Sequence, residues 1–240
     1  MKRFVVMLFL AVFSVSCIRW FMKETIKDNG NIVTKEFVVG EYSKVVNVGS
    51  LEVILSKGEM GKVRIEVSDN LEPYISITTE GNSLVIDLDD NYNYDINHKA
   101  VVYVPVNEQL NEIKSVGAGH IFLKERLNVH HLKCSSTGAG NIEINIDANE
   151  LELSLIGSGN FKAEGNSHKL SASITGSGHI NAHQNKSEVV TAKISGAGDI
   201  SVYASKEIKA KITGAGNIIV EGNPEKRDTS VLGAGNIEFR

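Results

Sequence analysis

Proline, cysteine and aromatic residues are scarce in this chain of 240 residues. It contains only 3 prolines and 2 cysteines, and aromatic residues make up 6%. The first cysteine, Cys17, closes a signal-type segment, which leaves Cys134 alone in the body of the chain and without an internal disulfide partner. The fold must therefore be held by its apolar core, in which Cys134 is expected to be a small buried residue.

An excess of basic residues is also missing. The formal net charge is −4, so no basic stripe is available to neutralise phosphates, and nucleic acid is excluded as the main partner. Hydrophobic residues at 42% and charged residues at 22% are close to average globular usage. The composition therefore indicates a folded protein, long enough for one large all-β domain or two small ones.

The N-terminus has the pattern of an export signal. Two basic residues precede the apolar run Phe4–Phe13, and the small residues after it end at Cys17. The run is shorter than the roughly 20 apolar residues of a membrane helix. The segment resembles a bacterial lipoprotein signal, in which Cys17 would be lipidated and become the new N-terminus. Because Ser14 stands where such signals usually carry an aliphatic residue, cleavage without lipidation and an uncleaved anchor remain open.

Export defines the expected location and the first two segments of the chain. Lipidation would attach the protein to the cell envelope, in the outer membrane, with its periplasmic or surface face unspecified. Residues 1–17 are then the signal, and the mixed polar residues 18–35 are expected to be a tether.

Residues 36–106 alternate between apolar and polar positions, and turn residues separate the alternating runs. Examples are Leu51–Leu55, Val63–Val67 and Ser83–Leu88, with a turn at Glu80–Asn82. This period of two is typical of half-buried strands. We expect a compact N-terminal β subdomain over residues 36–106.

A five-residue unit, Gly-small-Gly-polar-apolar, then recurs seven times. Successive first glycines are separated by 21, 19, 19, 20, 18 and 19 residues. Such a constant period indicates a solenoid, and about nineteen residues cannot hold a strand, a crossover helix and another strand. The prediction is an all-β solenoid of about seven coils over Gly117–Arg240, within a C-terminal domain of residues 107–240. The glycine pairs are Gly117 and Gly119, Gly138 and Gly140, Gly157 and Gly159, Gly176 and Gly178, Gly196 and Gly198, Gly214 and Gly216, and Gly233 and Gly235.

The repeated unit is explained by a stacked corner without any ligand. Two glycines allow positive φ where a β-carbon would be strained, and the small residue between them lets consecutive corners approach. Asn, Asp and His at the fourth position tolerate the left-handed conformation, and stacked Asn side chains can form a hydrogen-bonded ladder. The apolar fifth position is expected to point into the core.

These repeats resemble the GIN-domain family, the head domain of auto-transporter adhesins found in exported and lipoprotein-like envelope proteins. The resemblance covers about Val38 to Arg240, through a strand-rich segment, the apolar-Pro element Val104-Pro105 and the glycine repeats. It implies a right-handed parallel β-helix-like fold, commonly in two sub-units. It brings no catalytic or ligand residues, because the adhesin label rests on architecture. His120, His179 and Asp199 replace the usual Asn, which interrupts a strict Asn ladder.

One acidic segment is the best candidate for a binding patch. Oxygen-bearing side chains alternate along residues 87–95, in a pattern similar to a calcium loop. Tyr92 replaces the required glycine, however, and His98 replaces the bidentate glutamate, so a solvated strand edge or loop is the leading interpretation. Cation or sugar binding is the alternative, because tyrosine and carboxylates together suit carbohydrate hydroxyls. The candidate residues are Asp87, Asp89, Asp90, Tyr92, Tyr94 and Asp95.

No catalytic machinery, metal site or cofactor site is predicted. His120 and His179 belong to the first and fourth coils, about 14 Å apart at the strand spacing, and cannot share one ion. The glutamates of the repeats are scattered at outward positions, unlike the paired carboxylates of glycoside hydrolases.

The sequence therefore predicts a non-enzymatic envelope protein that presents a rigid solenoid to a polysaccharide or to another surface protein. The alternative is a structural module that forms homo-oligomers through the edge of its last coil, which ends in Ile237–Arg240. A polysaccharide-active enzyme is the third hypothesis.

Overall fold

The computed structural model of the chain describes residues 23–240. The expected signal peptide, Cys17 and the first residues of the expected tether lie outside this part of the chain. Within residues 23–240, no helix is long and apolar enough to cross a membrane.

Almost all of the described chain is strand, with one 3-10 turn at Glu72–Tyr74. The strands are β1 Thr25–Lys27, β2 Ile32–Val38, β3 Lys44–Gly49, β4 Glu52–Lys57, β5 Lys62–Ser68, β6 Ile75–Glu80, β7 Ser83–Leu88, β8 Asn93–Asp95, β9 Val101–Val106, β10 Glu112–Gly117, β11 His120–Gly138, β12 Asn141–Gly157, β13 Asn160–Gly176, β14 His179–Gly196, β15 Asp199–Gly214, β16 Asn217–Glu221, β17 Lys226–Gly233 and β18 Asn236–Phe239.

The repeats form the predicted β-solenoid, of about 7 turns. Each of the long strands β11 to β15 has 16 to 19 residues and runs from one glycine corner to the next. Neighbouring coils pair in parallel and in register, so that Gly138 lies opposite Gly157 and Gly157 opposite Gly176. The stacked glycine corners and the all-β solenoid are thus confirmed.

The two glycines of a corner are required for different reasons. The first glycines all have φ between 117° and 134°. A β-carbon on Gly157 would also lie 2.2 Å from the Gly138 carbonyl oxygen, which accepts a hydrogen bond from the Ser158 amide at 2.9 Å. The second glycines lack a positive φ, contrary to the expectation, but a β-carbon on Gly159 would lie 2.1 Å from the Gly140 carbonyl oxygen. The second glycine therefore provides space rather than conformation.

The core lies inside the coils and is built from equivalent positions of successive strands. Ile142 stacks on Phe161, and Leu153 stacks on Ala172. Cys134 is fully buried in this stack, as predicted, and burial raises the pKa of its thiol. Equivalent core positions thus carry apolar side chains from coil to coil, which fills the interior with a continuous packed column.

The solenoid begins before the predicted repeats. Strands β3 and β4 form a coil whose corner, Gly49, has φ 104° and lies opposite Gly117. Strands β7 and β9 form one further coil beneath it. The ladder therefore continues across the expected boundary between residues 106 and 107, and strands β1 and β2 occupy part of the segment 18–35 that was expected to be a tether.

The two ends of the ladder differ. At the N-terminal end, β6 runs antiparallel to β7, and β5 runs antiparallel to both β2 and β9. At the C-terminal end, β17 pairs with β15 and β18 pairs with β16, all in parallel. Every residue of β17 is exposed. The N-terminal end thus ends in antiparallel strands and the C-terminal end in an open parallel edge.

Candidate functional site

Five of the six predicted binding residues lie on an insertion into the regular solenoid, and Asp87 lies at the end of strand β7 just before it. After Leu88 the chain leaves the column of stacked glycine corners, and it rejoins the ladder only at Val101. Residues 89–100 therefore stand where the other coils have a glycine corner. A β-carbon on Gly49 would lie 3.1 Å from Leu88 Cβ, which shows that the chain follows the column up to this residue. We call residues 89–100 the site loop. Loops on rigid scaffolds are the usual carriers of function.

A groove of about 590 Å³ lies between the site loop and strands β6 and β7. We call it the acidic groove. The side chains that give it polar character are Tyr74, Ser76, Asp87, Asp89, Asp90 and Asn91. It contains three of the six predicted residues and is open to solvent.

The hairpin of β6 and β7 assembles the groove. In its antiparallel register Ser76 lies opposite Asp87. One step further, the Asp89 amide donates to the Tyr74 carbonyl oxygen at 2.9 Å. The hairpin thus places an aromatic ring and a hydroxyl beside the carboxylates of the site loop.

Three tyrosines pack together behind the carboxylates. The ring centroids of Tyr74 and Tyr92 are 4.9 Å apart, those of Tyr74 and Tyr94 are 6.0 Å apart, and both pairs are edge-on. The Tyr94 hydroxyl donates to the Asp89 carbonyl oxygen at 2.8 Å. Burial, together with nearby Asp89, raises the pKa of Tyr94 to about 12, so it remains a neutral donor. The cluster therefore fixes the backbone at Asp89.

The carboxylates of the groove influence one another. Burial raises the pKa of Asp87, and the negative charges of Asp90 and Asp89 raise it further. Asp89 accepts hydrogen bonds from the backbone and side-chain nitrogens of Asn91, at 2.9 and 2.7 Å. Nothing in the described chain groups three or more His, Cys, Asp or Glu side chains as a metal site would require. The arrangement suits a ligand that donates hydrogen bonds, such as a sugar hydroxyl.

The candidate residues do not share one extended strand. Strand β7 ends at Leu88, and β8 covers only Asn93–Asp95, with a turn between them. Asp87, Asp89 and Asp90 line the groove, whereas Tyr92 and Tyr94 support it from behind. Asp95 lies apart and accepts a hydrogen bond from the Asn97 side chain at 2.8 Å. The segment is thus the end of strand β7, which carries Asp87, followed by a loop that carries Asp89 and Asp90.

Tyr74 is the main residue of the groove that the sequence did not indicate. The turn Glu80–Asn82 could have indicated that Tyr74 belongs to the groove. A hairpin closed by this turn pairs Ser76 with Asp87, and it therefore brings Tyr74 towards Asp89. The missing step was the antiparallel register, which the alternating pattern alone does not specify.

The first described residues are fixed to the site loop. Strand β1 pairs in parallel with β8, so we call Lys23–Asp28 the strap. Asp28 is 5% exposed, and its Oδ2 accepts from the amides of Asn97 and His98, at 3.1 and 2.8 Å, and lies 3.0 Å from His98 Nδ1. Burial raises the pKa of Asp28, but these hydrogen bonds outweigh it and leave the pKa below its ordinary value. Its Oδ1 is buried and has no hydrogen-bond partner among residues 23–240.

A second groove lies on the other side of the site loop. It measures about 770 Å³ and is lined by Tyr94, His98, Glu52, His120 and other residues. Tyr94 therefore lies between the two grooves. The charges around the second groove are mixed, and its Lys99 is paired with Glu66.

The polar position of the glycine unit forms a broken ladder. Asn141 Nδ2 lies 2.9 Å from His120 Nδ1, and Asn160 Nδ2 donates to Asn141 Oδ1 at 2.8 Å. A second run joins His179, Asp199 and Asn217. Side-chain ladders thus form with the His and Asp replacements included.

The chain matches the family model described as "Putative auto-transporter adhesin, head GIN domain" over residues 41–224. Similar solved structures include a "putative adhesin" from Bacteroides fragilis, with 25% identity, a TM-score of 0.82, and coverage of 90% of this chain and 100% of that one. A "putative lipid binding protein" from Parabacteroides distasonis has 26% identity, a TM-score of 0.76 and the same coverage. A "putative adhesin" from Parabacteroides merdae has 25% identity, a TM-score of 0.72, and coverage of 90% and 99%. No curated protein matches the chain.

Proposed function

The chain belongs to the family of auto-transporter adhesin head GIN domains, and on that premise we propose that it is a non-enzymatic envelope protein that binds neutral glycans in the acidic groove. The recognition residues come from the site loop, from the end of strand β7 and from the 3-10 turn that ends at Tyr74, and the solenoid holds these segments in place. The family name and the adhesin descriptions of similar structures support a binding role.

The acidic groove is the observation that carries this proposal. Asp87, Asp89 and Asp90 offer acceptors to sugar hydroxyls, and Tyr74 offers an apolar face and a hydroxyl. On the regular faces of the solenoid, by contrast, many charged side chains form ion pairs between coils, such as Lys169 with Glu150. We therefore assign recognition to the acidic groove as a whole.

The proposal includes an envelope location with a lipid on Cys17. It is supported by the order of a basic start, the apolar run Phe4–Phe13 and the small residues before Cys17. The family is one of adhesin head domains, which agrees with export. One similar structure carries the description of a lipid binding protein, which agrees with a position at a membrane.

A glycan array tests the proposed function with the full-length protein and two matched double variants. We expect Asp87→Asn with Asp89→Asn to weaken binding at least about tenfold, since hydrogen bonds to charged groups contribute about 1.5–3 kcal/mol and 1.4 kcal/mol corresponds to tenfold. Glu108→Gln with Glu225→Gln removes two exposed charges elsewhere and should bind normally. Because burial disfavours the charged form of Asp87, its replacement by Asn should not unfold the protein. Unchanged binding by the groove variant would remove the acidic groove from the site.

Self-association through the open edge is a second candidate function. All residues of β17 are exposed, including Leu232 at 69%. The charges of Lys226, Arg227 and Asp228 lie along the same edge and disfavour non-specific strand pairing. A mass in solution that rises with protein concentration, and that a proline at Thr229 abolishes, would support it.

A further inference from the structure

We propose that the acidic groove binds the sugar headgroup of a lipid in the same membrane that holds the protein. This inference rests on the proposed function, namely a glycan site in the acidic groove and a lipid on Cys17. It specifies where the ligand is located and to what it is attached.

The strap brings the N-terminal segment to the groove itself. Lys23 Nζ contacts the backbone carbonyl of Asp90, which lines the groove. The Asn93 amide donates to the Glu24 carbonyl oxygen at 2.8 Å, and the Asn93 side chain donates to the Lys23 carbonyl oxygen at 3.2 Å. Lys23 therefore lies directly beside the proposed ligand site.

The strap is fixed along its length. Thr25, Ile26 and Lys27 pair with Asn93, Tyr94 and Asp95 in β8. The Asp28 amide donates to the Asp95 carbonyl oxygen at 3.1 Å, and the buried Asp28 carboxylate holds the amides of Asn97 and His98. These contacts keep the groove beside Lys23, the first residue that the structure describes.

The length of the intervening chain then limits the distance from groove to membrane. Cys17 and Lys23 are 6 residues apart, since 23 − 17 = 6, and a chain of that length spans at most about 20 Å in any conformation. By contrast, β17 lies eight strand spacings from β7, or about 38 Å along the stack. A ligand on another surface would be reached more easily at the distal coils, whereas the groove is close to the anchoring membrane.

The charge of the groove selects among membrane headgroups. Its carboxylates, Asp87, Asp89 and Asp90, repel anionic phosphate headgroups and accept hydrogen bonds from hydroxyls. The Lys23 ammonium is already used by the Asp90 carbonyl. An uncharged sugar headgroup therefore fits the groove better than the headgroup of an anionic phospholipid does.

The experiment uses the lipidated full-length protein in phosphatidylcholine vesicles, with digalactosyl diacylglycerol as the probe. We expect the amides of residues 87–95 to be protected from hydrogen exchange when the glycolipid is in the same vesicle, and not when it is supplied in separate vesicles. Asp87→Asn with Asp89→Asn should abolish the protection. A long Gly-Ser insertion between residues 22 and 23 should reduce it, because the effective concentration of the headgroup falls as the linker lengthens. The same Gly-Ser segment added after Arg240 is the matched control.

Three results would overturn the inference. One is equal protection by glycolipid in separate vesicles, accompanied by vesicle clustering, which places the ligand in an opposing membrane while leaving the proposed glycan site intact. Another is a mature N-terminus whose mass shows no lipid on Cys17. The third is protection that the Gly-Ser insertion leaves unchanged. Failure of the wild-type protein to bind either vesicles or soluble glycans would instead refute the proposed function itself.

Discussion

At the scale of single residues, the glycines of this chain separate two requirements that usually occur together, namely a positive φ and the lack of space for a β-carbon. Gly157 has φ 125° and a neighbouring carbonyl oxygen 2.2 Å from the position of a β-carbon. Gly159 has the close carbonyl oxygen alone, whereas Gly61 has φ 114° with nothing within 4 Å of the added carbon. Conformation and space can therefore be tested one at a time in the same protein.

Alanine substitutions at these glycines should rank by the number of requirements that they violate. Gly61→Ala is expected to cost about 1–2 kcal/mol, the penalty for an L-residue at positive φ. Gly159→Ala should cost about 1–3 kcal/mol through overpacking against a backbone oxygen that the ladder holds in place. Gly157→Ala should cost more than either. Urea unfolding followed by circular dichroism measures the free energy of unfolding of each variant. A Gly159→Ala protein as stable as wild type would show that the neighbouring backbone can shift to make room for the added carbon.

At the scale of elements, regular repetition was predictable and its interruption was not. The seven glycine units predicted the coils because each unit combines two glycines with a fixed spacing. The corner at Gly49 was missed because Leu51 follows it where the repeats have their second glycine, and because 68 residues separate it from Gly117. Those intervening residues contain the antiparallel strands β5 and β6 and the site loop, whose pairing depends on contacts distant in sequence.

The strap is the element whose role is most open to direct test. Asp28→Ala removes the acceptor for the Asn97 and His98 amides, so hydrogen exchange in residues 93–98 should become several-fold faster while exchange in β13 is unchanged. Asp95→Ala is the matched control, because its exposed carboxylate accepts only from the Asn97 side chain.

The same variant has an expected pH dependence. Because folding lowers the pKa of Asp28, its stabilising effect is complete above the ordinary carboxyl pKa and is lost as the pH falls through the lowered value. The difference between wild type and Asp28→Ala should therefore shrink as the pH falls through the lowered pKa of Asp28. A difference that stays the same in strong acid would contradict the assigned role of the carboxylate.

At the scale of the whole molecule, the ladder makes one structural unit of segments that the sequence divided in two. Strand β10 pairs with β3 over six residues, from Glu112 with Lys44 to Gly117 with Gly49. Strand β4 pairs with β11 over four more. Solenoids couple neighbouring repeats through such interfaces, so stability passes from coil to coil.

A substitution in the N-terminal coils should consequently destabilise the repeats. Leu84 is fully buried in β7, and its change to Ala is expected to cost about 2–5 kcal/mol. If the ladder is cooperative, this change also accelerates native-state hydrogen exchange in β10 and β11, with a smaller effect at β15, because coupling weakens with each interface. Val231→Ala is the control, since this side chain is 44% exposed on the last coil and its loss should leave β10 and β11 unaffected. Unchanged exchange in β10 and β11 after Leu84→Ala would mean that residues 36–106 and 107–240 unfold separately, as two domains joined by a ladder that carries no energetic coupling.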